Sequence, residues 1–235
     1  MTQGGPSTCW TVIRAAAAGA APERDAFARR YAEPLAAYFA ARWRGGPLAQ
    51  ECDDAVQEVF VECLRDGGAL ERARPAEAAT PGAGGFQPFL YGVARNVARR
   101  FEERRAARKG APAESVELDR LPIDEPSLSR AFDRAFAQAL LREAAALQRA
   151  RAVAAGEKAV RRVDLLARRF GDDLAIREVA REWGVDAATL HHEFATARKE
   201  FVLALQEVVA FHDPRATPGE VARRCAELAR LVAAG

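Results

Sequence analysis

The residues best suited to do chemistry in this 235-residue chain lie in FQPFLYGVARNVARRFEERRAARK (86–109). Arg95, Asn96, Arg99, Arg100 and Arg104 follow closely on Phe86, Phe89 and Tyr91. Guanidinium groups neutralise phosphates, and flat aromatic faces accept stacked bases, so this combination suits a nucleic acid. Residues 86–110 hold seven basic and two acidic side chains, a net +5 in a chain whose total is +2. The bland alternative for the same residues is a solvated helix end.

Two other stretches carry pattern. Asp54, Gln57, Glu58 and Glu62 are spaced i, i+3, i+4, i+8, which gathers them on one side of a helix as an acidic face. Such a face is either a protein-binding surface or merely solvated. In 176–194, apolar residues fall at positions 4, 8, 10, 15 and 19 counted from Ile176, with Ala180 at 5 and Gly184 at 9. That is helix-turn-helix spacing: Ala180 lets two helices approach, Gly184 permits a left-handed turn, and Val185 and Leu190 pack the second helix on the first. Asp186 caps the second helix. An ordinary helical hairpin is the alternative.

These residues need helices to position them, and the sequence supplies helices throughout. Alanine, arginine, leucine and glutamate dominate, and β-branched residues are few. Around the basic stretch, Phe89, Leu90, Val93, Ala94, Val97, Ala98 and Phe101 fill an arc of about 180°, one buried face. Pro88 suits the first turn. The acidic face belongs to a helix over 53–66, buried through Ala55, Val56, Val59, Phe60, Cys63 and Leu64. Before it, 22–44 reads as one helical region with Phe27, Tyr31, Leu35, Tyr38, Phe39 and Trp43 inward, kinked or divided at Pro34 and stopped by Gly45-Gly46-Pro47. Residues 1–9 read as disordered, with a short helix over 10–18 capped by Thr11.

Gly, Ala and Pro make 67–85 a mobile loop, and three prolines make 111–126 a linker. Ser127 or Ser129 then caps a helix through Phe132, Phe136, Leu140, Leu141 and Leu147 to about 155. A short helix over 163–170 breaks at Gly171-Asp172-Asp173. At the end, Thr217-Pro218-Gly219-Glu220 is a capping box ahead of the stripe Val221, Cys225, Leu228 and Val232. The expected fold class is therefore all-α: two small helical domains, 1–110 and 127–235, joined by the linker 111–126, the second containing the helix-turn-helix.

Several functions are excluded or disfavoured. No apolar run reaches the roughly 18 residues a membrane span needs, and there is no basic-then-apolar leader, so a cytoplasmic location without membrane contact is expected. Cys9, Cys52, Cys63 and Cys225 form no CxxC pair and no metal-ligand spacing, so no metal and no cofactor is expected and Cys63 reads as a buried free thiol. There is no HExxH, no Gly-rich phosphate loop and no nucleophile elbow. An enzyme is not expected.

The order of the three patterns resembles one family, the extracytoplasmic-function (ECF) type sigma factors of bacterial RNA polymerase, in the sigma-70 family. DDAVQEVFVECL (53–64) is similar to that family's DLVQEVFL-type helix, FLYGVARNVARR (89–100) to its WLYRIARN-type helix, and IREVAREWGVDAATLHHEFATARKEF (176–201) to its helix-turn-helix. The resemblance covers roughly 10–109 and 161–210. It implies that Asp54, Gln57, Glu58 and Glu62 contact the clamp coiled coil of the core polymerase large subunit. It implies that Arg95, Asn96, Arg99, Arg100 and Arg104 meet the −10 element of promoter DNA, with Phe86, Phe89 and Tyr91 flanking the melted strand and 67–85 capturing a flipped base. Thr189, His191, His192, Arg198 and Lys199 then face the −35 element, with Glu193 on the same side, where it accepts from cytosine N4 or weakens phosphate contact.

The expected function is a promoter-specificity subunit for transcription initiation. A helix-turn-helix regulator that binds DNA without polymerase is the alternative. Five excess charges on phosphates give a salt slope of at most about −4, too weak for a protein acting alone. The sequence leaves open whether an anti-sigma partner exists or the tail helix 217–233 takes that role in cis.

Overall fold

The structure, a computed structural model, describes residues 15–16, 21–65, 67–69, 86–108 and 125–233, with side chains up to 230. The expectations for 1–9 and most of 10–18, for 70–85 and for most of the 111–126 linker lie outside these residues. Among the described residues the chain is helical and contains no strand. No helix there is long and apolar enough to cross a membrane.

The elements are α1 (Ala21–Arg42), a 3-10 turn (Ala49–Glu51), α2 (Cys52–Leu64), α3 (Phe86–Arg108), α4 (Glu125–Ala155), α5 (Glu157–Phe170), α6 (Ile176–Trp183), α7 (Ala187–His212) and α8 (Pro218–Ala233). Two compact units form. One takes the described residues up to Ala139, Phe211–Ala216, and the chain from Leu228 onward; the other takes Leu140–Ala210 and Thr217–Glu227. The contacts thus divide the chain inside α4, not at the proline-rich 111–126.

The first unit is built on aromatic rings. Tyr31 of α1 packs on Phe86 of α3 (ring centroids 4.8 Å apart), and Tyr38 on Tyr91 (5.4 Å). Phe132 of α4 lies 5.4 Å from Tyr91, and Phe136 lies 6.0 Å from Tyr31. This stripe, at i and i+4, draws the first half of α4 into the first unit. Its burial is what displaces the boundary expected from prolines alone. Ser127 and Ser129 also sit inside α4 instead of capping it: Glu125 and Pro126 open the helix, where proline's missing N–H costs nothing.

Pro34 does not divide α1, which runs unbroken from Ala21 to Arg42. An interior proline costs about 3 kcal/mol. Phe27, Tyr31, Leu35, Tyr38 and Phe39 are buried on both sides of it, each contributing about 1.5–3 kcal/mol, so continuity wins. Gly45, at φ +66°, makes the left-handed turn that ends the segment. Cys63 is buried as expected, and burial pushes its thiol up to about 12.

The second unit has a core of Leu165, Ile176, Val179, Ala180 and Leu190, with Leu174, Trp183, Val185 and Phe194 packed against it. Ala152, Ala159 and Val163 form a smaller cluster.

Candidate nucleic-acid interface

On α3 the buried stripe of Phe86, Leu90, Val93, Ala94, Val97 and Ala98 fixes which basic residues face outward. Arg95, Asn96 and Arg99 lie opposite it, exposed. Among the described residues neither Arg95 nor Arg99 forms a hydrogen bond or ion pair. Two guanidinium groups one helical turn apart, flanking an amide, are thus presented on one outer face. That arrangement can take two successive phosphates.

The remaining residues expected beside them are placed differently. Phe86 is 1% exposed, packed on Phe27 at 6.0 Å and Tyr31 at 4.8 Å. It has no free face to offer a base, so the stacking role expected of it is corrected to a core role. Tyr91 is half-buried, and its hydroxyl donates to Glu125 Oε2 at 3.0 Å. Burial, and then that bond, raises its pKa well above the usual tyrosine value. Phe89, half-buried, packs 5.7 Å from Phe86. Gln87 donates to Asp133 Oδ1. The N-terminal end of α3 is therefore covered by α4, and the carboxylates of Glu125 and Asp133 hold it there.

Arg100 is partly buried and donates through Nη1 to Glu62 Oε2 at 3.2 Å. Arg104 turns back over the ring of Phe101, 4.4 Å from its centroid, with Nε donating to the Arg100 carbonyl at 3.3 Å. At about 100° per residue, Arg104, Arg105 and Arg108 continue the row Val93, Val97 and Phe101. Arg104 and Arg108 lie on the opposite side of the helix from Arg95 and Arg99, with Arg105 on the flank about 80° from Arg95. The positive charge of α3 is split between two surfaces.

The acidic helix is likewise divided. Asp54 and Gln57 are exposed and Glu58 is half-exposed, on the side of α2 away from buried Ala55, Val56, Val59 and Cys63. Glu62 differs. Its side chain is only 12% exposed and is held by Arg65 and Arg100. It is a link to α3, not part of an open acidic face.

Below α3, Arg42 of α1 makes a two-pronged pair with Glu102, Nε to Oε1 at 2.7 Å and Nη2 to Oε2 at 3.1 Å, and also reaches Glu125 at 3.4 Å. Trp43 Nε1 donates to the same Glu102 at 3.0 Å. The Arg42 side chain is 3% exposed, and its bond to Glu102 overcomes the burial penalty and raises its pKa. Sequence periodicity alone gave no sign of this clasp, because its partners are 60 residues apart.

In the second unit, α6 ends at Gly184, whose φ of 62° and ψ of 35° are left-handed. Its successor Val185 donates to the Ala180 carbonyl at 3.0 Å. Asp186 then accepts from the Thr189 N–H at 2.9 Å, opening α7. That bond, first among its causes, lowers the Asp186 pKa below the usual carboxylate value. His191, His192, Arg198 and Lys199 are exposed on α7. His191 and Arg198 fall within about 20° of one another around the helix, as do His192 and Lys199. Thr189 is exposed too, but its hydroxyl is spent on Asp186 at 3.3 Å.

Glu193 is corrected. It is 9% exposed, on the flank of the stripe that buries Leu190 and Ala197, with Oε2 3.6 Å from Arg161 Nε of α5. Arg161 in turn lies 5.4 Å from the ring centroid of Trp183. A carboxylate three residues after a core leucine points about 60° from it, so it faces α5 and cannot read a base.

No protein-family model, curated protein or solved structure matches the chain.

Proposed function

We propose that this protein is a dissociable specificity subunit of bacterial RNA polymerase, of the ECF sigma type, that directs the core enzyme to promoters. One observation carries the reading. Within a single unit, packed helices present an acidic side, Asp54, Gln57 and Glu58, and a separate basic side, Arg95, Asn96 and Arg99.

On this reading α2 binds the polymerase and α3 binds the −10 element through its outer face. Arg95 and Arg99 take phosphates, Asn96 reaches a base edge, and Arg100 stands beside them, oriented by Glu62. Phe86 and Tyr91 support that face from within. In the second unit, α6, its turn and the start of α7 act as a helix-turn-helix on the −35 element through His191, His192, Arg198 and Lys199. The protein does no bond chemistry; the polymerase supplies the catalytic metal.

The test is transcription in vitro: core polymerase, this protein and a library of promoter fragments. Run-off transcripts that depend on the added protein support the reading. Sequence-selective DNA binding with no transcript from any fragment rejects it.

A second reading, a DNA-binding regulator independent of polymerase, is favoured by the left-handed turn at Gly184 and the exposed basic residues on α7. It gives Asp54 and Glu58 no role.

A further inference from the structure

A cleft of about 400 Å³ opens between the start of α2 and the C-terminal end of α3. One wall carries the carboxylates of Glu51, Asp54 and Glu58; the other carries the guanidinium groups of Arg104, Arg105 and Arg108. Leu48 and Phe101 also line it, with Leu48 buried and Phe101 half-buried under Arg104.

The walls do not neutralise each other. Among the described residues no ion pair bridges them, although three charges of each sign share one cleft. Elsewhere in the same unit, opposite charges that face each other do close: Arg42 on Glu102 at 2.7 Å and Arg100 on Glu62 at 3.2 Å. Here the gap stays open among the described residues, with Leu48 and Phe101 sharing its lining with two rows of charge that do not pair.

The charge pattern selects the occupant. A nucleic-acid strand drawn to the arginines would bring its phosphates against three carboxylates. A purely basic peptide would meet three guanidinium groups. Like charges so placed repel, and an interface uses such repulsion to reject wrong partners. What fits is a protein ridge with basic side chains on one flank, acidic ones on the other, and an apolar residue between. Residues three and four apart on a helix provide that arrangement.

We propose that this cleft receives a helix of core RNA polymerase with that zwitterionic pattern. Arg104, Arg105 and Arg108 are then protein contacts, with Arg104 and Arg108 on the side of α3 away from the DNA-facing Arg95 and Arg99. The proposal rests on the sigma reading and extends its polymerase contact from an acidic face to a two-walled seat.

The experiment measures the full chain's Kd for core RNA polymerase and, separately, the salt dependence of its binding to promoter DNA. Three proteins are compared: wild type, Arg104→Glu with Arg108→Glu, and Arg104→Gln with Arg108→Gln. Circular dichroism and urea midpoints confirm that each folds, and the neutral variant stands in if the reversed one does not. The proposal expects reversal to weaken core binding at least tenfold, neutralisation to weaken it less, and the salt slope for DNA to stay as in wild type.

Wild-type core binding, unchanged by reversal but with a shallower DNA salt slope, overturns the proposal while leaving the sigma reading standing. Unchanged core binding with a lowered urea midpoint means the chain itself fills the cleft, which also overturns it. Wild-type protein that does not bind core polymerase at all overturns both.

Discussion

The carboxylate of Glu62 accepts a hydrogen bond from Arg100 Nη1 at 3.2 Å, joining the acidic helix to the basic one. The same carboxylate holds Arg65, just past the end of its own helix, at 3.2 Å. Arg100 Nε is buried and has no hydrogen-bond partner among the described residues. Removing Glu62 therefore leaves a partly buried guanidinium without its counter-charge. Glu62→Ala is expected to cost about 1–3 kcal/mol in urea unfolding. Gln57→Ala, on the exposed side of α2, is expected to stay within about 0.5 kcal/mol. Equal effects for the two would contradict the linking role.

Phe86 tests the division between core and surface. Phe86→Ala is expected to lower stability by about 3–5 kcal/mol, since it empties the space against the paired rings of Phe27 and Tyr31. A base-stacking residue on the surface would lose DNA affinity with little change in its urea midpoint.

Arg95 and Arg99 bear the electrostatic claim. Each single change to alanine is expected to reduce the slope of log K against log salt for promoter DNA by about 1. The loss is expected to be similar across DNA sequences. Asn96→Ala, in contrast, is expected to relax sequence preference. Slopes unchanged in both arginine variants would remove α3 from the interface.

Acid tests the cap of α7. The Thr189 N–H stabilises the Asp186 carboxylate, so its folded-state pKa lies below the unfolded value. A depressed carboxylate adds stability that is fully present above its unfolded pKa and is lost as pH falls through the folded one. Glu220, held by the Thr217 N–H and hydroxyl, behaves alike. Urea midpoints for wild type are expected to fall below about pH 4. Asp186→Asn is expected to keep the cap hydrogen bond and to lose part of this acid dependence. An identical acid profile in the variant would count against the cap.

Much of this was legible in the sequence because it is periodic. Leu90, Val93, Ala94 and Val97 marked the buried side of α3, and so marked Arg95, Asn96 and Arg99 as its outer face. Gly184, Asp186 and Ala180 showed their local roles through residue type alone. What stayed hidden was what lay opposite each helix. Phe86 read as an aromatic beside arginines, and only the rings of Phe27 and Tyr31 made it core. Glu62 continued the acidic spacing, yet Arg100, 38 residues away, took it. Glu193 fell at a helical edge where 60° decides between solvent and Arg161. The row Val93, Val97, Phe101, Arg104 and Arg108 was readable in the sequence, and it signalled that the last arginines stand over the core side rather than with Arg95.

The sigma role depends on the exposed acids of α2 binding polymerase. Co-elution with bacterial core RNA polymerase measures it most directly, comparing wild type with an Asp54→Arg, Glu58→Arg double variant of unchanged helical content. The wild type is expected to travel with the core enzyme and the variant to elute alone. A variant that co-elutes as well as the wild type, or a wild type that never does, would contradict that role.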